Sequence, residues 1–267
     1  MGSRINLDEN LVILKYEEFR NIRKVAEFFK TSISPINRIL KNSNIQFGNR
    51  RYDVDETFFD SIDTESKAYW LGFLFADGYI RERNTGLSLE LKLAVKDREH
   101  IELFRETLKS THIIKEGFNK VKYKNGYSQS HMLHLAIYSS DLVKSIKTKG
   151  IHSRKTFTIT KPEIAKSLIS HFIRGYFDGD GSFSFNIIKK TNKTNFACAS
   201  EEFREFLISE LLENGIKLSY YGGIKMFIQN KMDNLKFYNY IYKNATIYLK
   251  RKKEKYEEFR GYYGYDN

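Results

Sequence analysis

Residues 87–96 read LSLELKLAVK, in which Leu87, Leu89, Leu91, Leu93 and Val95 alternate with Ser88, Glu90, Lys92, Ala94 and Lys96. A period of two puts successive side chains on opposite faces, so this is a strand with one buried and one polar side. The stretch before it, YWLGFLFADGYI (69–80), is apolar nearly all round a helical wheel, which marks a helix buried on several sides. After the strand, REHIELFRETLKS (98–110) has the spacing of an amphipathic helix. KVKYKNGYSQSHMLHLAIYSS (120–140) reads as a hairpin turning at Asn125-Gly126, and DLVKSIKTKG (141–150) as a helix stopped at Gly150.

The order then recurs. EIAKSLISHFIRGYFDGDG (163–181) is a helix, SFSFNIIKK and TNFACAS are strands, and EEFREFLISELLENG is an amphipathic helix stopped at Gly215. KLSYYGGIKMFIQNK turns near Gly222-Gly223, and DNLKFYNYIYKN is a last helix. Two units of the order αββαββα predict an α+β protein with internal pseudo-two-fold symmetry. The expected boundaries are 66–150 for the first half, 151–164 for a linker and 165–246 for the second half. A basic aromatic tail follows at 247–267, read as a solvated helix face.

Ahead of the repeat, residues 1–46 predict a small helical domain, and 47–65 a polar connector. IRKVAEFFKTSISPINRILKNSNI (22–45) carries two short amphipathic helices with a break at KTSIS. Ala26 and Phe29 face inward on the first, and Ile36, Ile39 and Leu40 on the second. Ser34 is the expected N-cap, with Pro35 at the first helical position. The segment resembles a helix-turn-helix, whose second helix would present Asn37, Arg38 and Lys41 to a nucleic acid. Lys30 stands where such motifs commonly carry glycine.

Charge sharpens this picture. The 267 residues carry a formal net charge of +12, which favours a polyanionic partner. The single cysteine, Cys198, rules out a disulfide framework and a cysteine-rich zinc site. No run of apolar residues is long enough to span a membrane, so the expectation is an intracellular, cytoplasmic protein.

The candidate chemistry lies at the two apolar helices. Aligned on Gly72 and Gly175, they end in Asp77-Gly78 and Asp180-Gly181, with the aspartates 103 positions apart. If the helices pack side by side, two carboxylates meet at two helix C-termini, each already carrying about half a negative charge. Such an arrangement needs cations, and magnesium suits hard oxygen ligands. Asp178 competes for the role. It lies about 200° round the helix from Asp180, however, and its counterpart in the first half is Phe75.

WLGFLFADG and IRGYFDGDG resemble the two signature motifs of the LAGLIDADG homing endonucleases in their single-chain form, over about residues 66–246. The resemblance implies a saddle of antiparallel sheets over double-stranded DNA, with the motif helices at the interface of the halves. It implies a monomer that makes a magnesium-dependent double-strand break at a long site, with 3′ overhangs, manganese substituting for magnesium. It assigns Asp77 and Asp180 to the metal, with the adjoining Ala76 and Gly179. It places a basic catalytic residue on the strand before the last helix of each half, read here as His134 and Lys225. The sheet faces would read bases through Arg81, Arg83, Ser88, Glu90 and Lys92 in one half, and Ser182, Ser184 and Asn186 in the other. The same scaffold also suits a non-cleaving DNA-binding regulator or an intron RNA maturase.

Overall fold

The computed structural model describes residues 7–45, 52–84, 86–123, 126–153 and 155–264. Asn125, at the expected hairpin turn, lies outside the described residues. The chain divides into two compact units, Met1–Asp53 and Val54–Asn267.

The first unit has three helices, α1 (Glu9–Phe19), α2 (Ile22–Phe28) and α3 (Ile33–Asn42). Asp8 and Asn21 cap α1 and α2 by accepting from backbone N–H groups of the first turn. α3 begins two residues earlier than its sequence suggests. Its N-cap is Ser32, which makes no side-chain cap bond, so Ser34 and Pro35 fall inside the first turn. Proline is tolerated there because first-turn N–H groups have no intrahelical acceptor. Val12, Tyr16, Ile22, Val25, Ala26, Ile36, Ile39 and Leu40 form the core of this unit. Lys30, between α2 and α3, has φ of 49°, in the left-handed region that glycine enters without steric cost.

The second unit holds the repeat. Its first half runs α4 (Glu65–Asp77), β1 (Gly78–Arg83), β2 (Gly86–Ala94), α5 (Arg98–Thr107), β3 (Ile114–Tyr123), β4 (Gly126–Tyr138) and α6 (Ser140–Thr148). The second half runs α7 (Ile169–Asp180), β5 (Ser182–Asn186), β6 (Thr191–Ala197), α8 (Glu201–Glu213), β7 (Ser219–Tyr220), β8 (Lys225–Ile228) and α9 (Lys231–Tyr242). A further helix, α10 (Lys250–Tyr262), follows. The sheets are antiparallel with orders β1-β2-β4-β3 and β5-β6-β8-β7, the same topology twice. Leu89, Leu91, Leu93, Leu133, Leu135 and Ile137 turn their sheet's inner face to a core shared with both halves' helices. The second hairpin is much shorter, with β7 and β8 of 2 and 4 residues against 10 and 13 for β3 and β4.

One expectation is extended and one changes. The basic run of residues 250–262 lies on a solvated helix face except for Lys252, but the helix is also docked, because Tyr256 and Phe259 are fully buried. Tyr256 stacks on Phe183 of β5 at 4.1 Å between ring centres, and Phe259 packs edge-on against Phe185 at 5.2 Å. The basic residues of this run cover only the outer side of the helix, and Lys252 turns inward. On β2, Ser88 and Glu90 lie on the expected polar face yet are buried, because Arg81 and Arg83 of β1 and His134 of β4 converge over Glu90. Among the described residues, no helix is long and apolar enough to cross a membrane.

Candidate active site at the paired helix ends

α4 and α7 pack against each other through their glycines. A methyl group on Gly72 would sit 1.9 Å from the Phe172 carbonyl oxygen, and one on Gly175 would sit 1.9 Å from that of Tyr69. Phe172 and Gly175 stand 103 positions after Tyr69 and Gly72, so each contact is the symmetry mate of the other. Glycine is required here because two backbones occupy the space of one side chain. Thr64 starts α4 by accepting from the Lys67 N–H. Both helices end in extended glycines, Gly78 and Gly181, whose N–H groups close onto Leu74 and Phe177.

This packing brings the helix tips together. A methyl on Gly179 would lie 2.3 Å from the Ala76 Cβ and 3.4 Å from Asp77 Oδ2. Asp77 and Asp180 therefore meet at one place. Each keeps an exposed edge, while protein packed around the rest of the carboxylate withdraws water. That withdrawal, reinforced by the Asp180 charge, pushes Asp77 up to about 6, with Lys155 and Lys252 opposing. Asp180 is raised for the same first reason and held down by the same lysines. Among the described residues, neither carboxylate has a hydrogen-bond or ion-pair partner, and no third acid, histidine or cysteine completes a cluster with them.

Asp178 is excluded from this centre by its partners. It is buried and accepts from the hydroxyls of Tyr69 and Tyr242, both at 2.9 Å, and from the Leu249 N–H at 2.7 Å. Its acceptors point to the start of α10. Arg174, in a position where the motif is usually small, is fully buried and donates to the carbonyls of Ile247 and Ile241 and to Glu65.

The cations that reach the acid pair are Lys155 and Lys252, which the sequence reading missed. Lys155 Nζ donates to the carbonyls of Leu74, Phe75 (2.6 Å) and Ala76 (3.0 Å) at the end of α4. Lys252 Nζ donates to Phe177 (2.7 Å), Gly179 (3.2 Å) and Gly181 (2.5 Å) at the end of α7. All three N–H donors of each ammonium are thus spent on carbonyls at or just beyond a helix end. Burial draws Lys155 down to about 7 and Lys252 to about 8, with the aspartates pulling the other way. Carbonyls at the negative helix end favour the charged form as well. The signal was present, since each lysine follows the third helix of its half, but it was sought on the strands.

His134 and Lys225 are placed elsewhere. Counted from the equivalent glycines Gly78 and Gly181, the strand pairing makes Ala197 the counterpart of Lys92; Lys92 pairs with His134 and Ala197 with Lys225, so His134 and Lys225 hold equivalent positions in the two sheets. His134 lies 3.2 Å from Glu90, and burial lowers its pKa. Lys225 is exposed on β8. Neither contributes to the electrostatics of Asp77 or Asp180.

The remaining expected residues are spread over surfaces. Arg83 and Lys92 are exposed and Arg81 half-exposed on the outer face of β1 and β2. Ser182, Ser184 and Asn186 are exposed on β5, alternating with Phe183 and Phe185 beneath. Ser182 accepts from Asn195 at 2.6 Å, and Asn186 accepts from the Lys189 N–H at 2.8 Å in the following turn. In the first unit, Arg38 and Lys41 are exposed on α3, while the Oδ1 of Asn37 is buried without a partner.

Residues 167–260 match the family model of the LAGLIDADG-like domain. The structure is similar to that of the homing endonuclease I-WcaI bound to its DNA recognition sequence, with a TM-score of 0.54 and 18% identity over 74% of this chain and 91% of that one. The chain carries the LAGLIDADG fold. Lower likenesses are to the LAGLIDADG meganuclease I-AabMI bound to uncleaved DNA (TM-score 0.47, 13% identity, 72% and 88% of the two chains) and to the N-terminal LAGLIDADG domain of DUF199/WhiA (0.42, 16%, 70% and 89%). No curated protein matches the sequence. In LAGLIDADG terms α4 and α7 are the two motif helices, and the matched segment extends through α10, which supplies Lys252.

Proposed function

We propose that this protein is a site-specific, divalent-metal-dependent DNA endonuclease that makes a double-strand break with 3′ overhangs. The observation that carries this reading is the unpartnered pair Asp77 and Asp180 at the joined helix ends, flanked by the half-buried Lys155 and the buried Lys252. The fold likeness to a DNA-bound homing endonuclease supports it. The donor set fits magnesium: two carboxylates with free oxygens, beside the main-chain oxygens of Ala76 and Gly179, are hard ligands. Magnesium or manganese, when bound there, supplies positive charge to the phosphate oxygens and to the departing oxygen.

The residues of the chain do the rest. Asp77 and Asp180, one from each half, would hold the cations and orient the attacking water. Water adds at phosphorus, the bond to the departing sugar oxygen breaks, and that oxygen takes up a proton. Lys155 and Lys252 act as fixed charges, because their donors are spent on carbonyls. They offset the helix ends and let two carboxylates stay close and ionised. The sheets form the DNA-reading saddle, and α3 adds phosphate contacts through Arg38 and Lys41, which makes affinity fall with salt. Intron homing is the biological setting this activity suits.

The test is incubation with a library of duplexes in magnesium and in chelator. Cleavage at one long site is expected in magnesium, lost in Asp77→Asn and in Asp180→Asn with binding kept. Selective binding without a cut in magnesium or manganese would make the protein a regulator instead.

A further inference from the structure

Glu90 is a charged side chain only 3% exposed, at the centre of the outer face of the first sheet. Burying a carboxylate on a surface proposed to meet a polyanion is costly twice over, by desolvation and by repulsion. Its surroundings account for it. Arg81 Nε lies 2.7 Å from Oε1 as an ion pair without a hydrogen bond, and Arg81 Nη2 donates to Oε2 at 3.1 Å. His134 Nε2 is 3.2 Å from Oε2, Ser88 Oγ donates to Oε1 at 3.4 Å, and Arg83 NH2 is 3.8 Å from Oε1. The Tyr79 ring flanks the Arg81 guanidinium at 5.7 Å. Arg81 is thereby fixed in two directions, while its side chain stays 40% exposed. Among the described residues, its NH1 has no partner.

The duplicated half lacks every part of this arrangement. By strand register, Ser184 takes the place of Arg81, Asn195 that of Glu90, Lys193 that of Ser88 and Lys225 that of His134. Lys193 Nζ rests 3.9 Å from the centre of the Phe227 ring. One half thus presents a braced, planar donor fork, the other a lysine point charge.

We infer that Glu90 is a specificity-determining residue that never touches DNA. It holds Arg81 so that the free NH1/NH2 edge reads one guanine, through O6 and N7, in the half-site under the first sheet. This rests on the DNA-reading function proposed above. Arginine held this way loses little freedom on binding, and a bidentate guanine contact discriminates strongly against the other bases.

The experiment selects duplexes from a randomised pool, in chelator so that cleavage plays no part, with the unaltered protein, Glu90→Gln, Arg81→Lys and Lys193→Ala. The unaltered protein should show a guanine preference at one position that falls about tenfold or more in both Glu90→Gln and Arg81→Lys, with other positions unchanged. Lys193→Ala should weaken binding to all sequences alike and leave that position intact. Arg81→Lys keeps the charge and an ion pair to Glu90, so it reports even if Glu90→Gln proves poorly folded. If the unaltered protein selects a sequence and both variants return its profile, the bracing role is wrong and DNA reading stands. If the unaltered protein selects nothing, DNA reading falls and takes the guanine contact with it.

Discussion

Adding one methyl group at Gly72 should be enough to separate the two halves of the centre. In Gly72→Ala the new Cβ would meet the Phe172 carbonyl oxygen at 1.9 Å, its carbon at 2.8 Å and the Tyr176 nitrogen at 3.0 Å. All three are backbone atoms, so no rotamer change relieves them. An ordinary carbon–oxygen contact needs about 3.3 Å, which asks the helices to part by about 1.4 Å. Alanine gains about 1 kcal/mol over glycine in a helix, while forced overpacking costs typically 1–3 kcal/mol and more where backbone must move. A net loss of about 2 kcal/mol is expected in urea denaturation. Gly117→Ala, where nothing lies within 4 Å, should be close to neutral. Gly175→Ala should match Gly72→Ala, and the double variant should cost less than the sum, since one opening relieves both contacts. If the proposed chemistry is right, displacing Asp77 from Asp180 by about 1 Å lowers cleavage roughly 100-fold. A Gly72→Ala protein as stable as its parent would falsify the close-packed helix pair on which the site depends.

Three further outcomes follow from single residues. Asp77 is raised from 3.8 to about 6, so its ionisation opposes folding increasingly as pH rises through that window. Asp77→Asn should therefore raise the melting temperature in metal-free buffer at pH 8 and not at pH 4. Burial lowers His100 from 6.5 to about 4, so the unfolded chain binds the extra proton between those values. Stability should fall by roughly 3 kcal/mol as pH drops through that range, and the urea midpoint of His100→Gln should lose this slope. Lys30→Gly, which relieves a left-handed lysine at φ of 49°, should stabilise the N-terminal unit by about 1 kcal/mol in thermal unfolding.

The periodicity of LSLELKLAVK and the duplicated Gly-to-Asp spacing were readable because they obey local rules, alternation and helical contact. They led to the element order, the two sheets and the meeting of Asp77 with Asp180. The same rules misjudged Ser88 and Glu90. Alternation tells which face a side chain takes, not whether neighbours from β1 and β4 will cover that face. The buried side of α10 was hidden for a similar reason. Tyr256 and Phe259 are three residues apart, but charged residues of both signs surround them in the sequence, and the aromatic face of β5 makes them core. Lys155 and Lys252 each follow the third helix of their half, a shared placement that was legible, but that they aim at the helix ends is set by long-range folding. His134 and Lys225 could be matched because each stands the same distance before the N-cap of its half's last helix, Ser139 and Asn230, and the strand register agrees.

The position of α10 in the chain has a consequence for the protein's birth. Arg251 reaches back to Asp97, at 2.8 Å, and Lys252 to the end of α7, so α10 bolts together parts of the unit made well before it. Until the ribosome has released those turns, the acid tips lack one of their two balancing charges and the second sheet lacks its aromatic backing. A nascent chain of this protein should thus complete the acid centre only once α10 has emerged and docked.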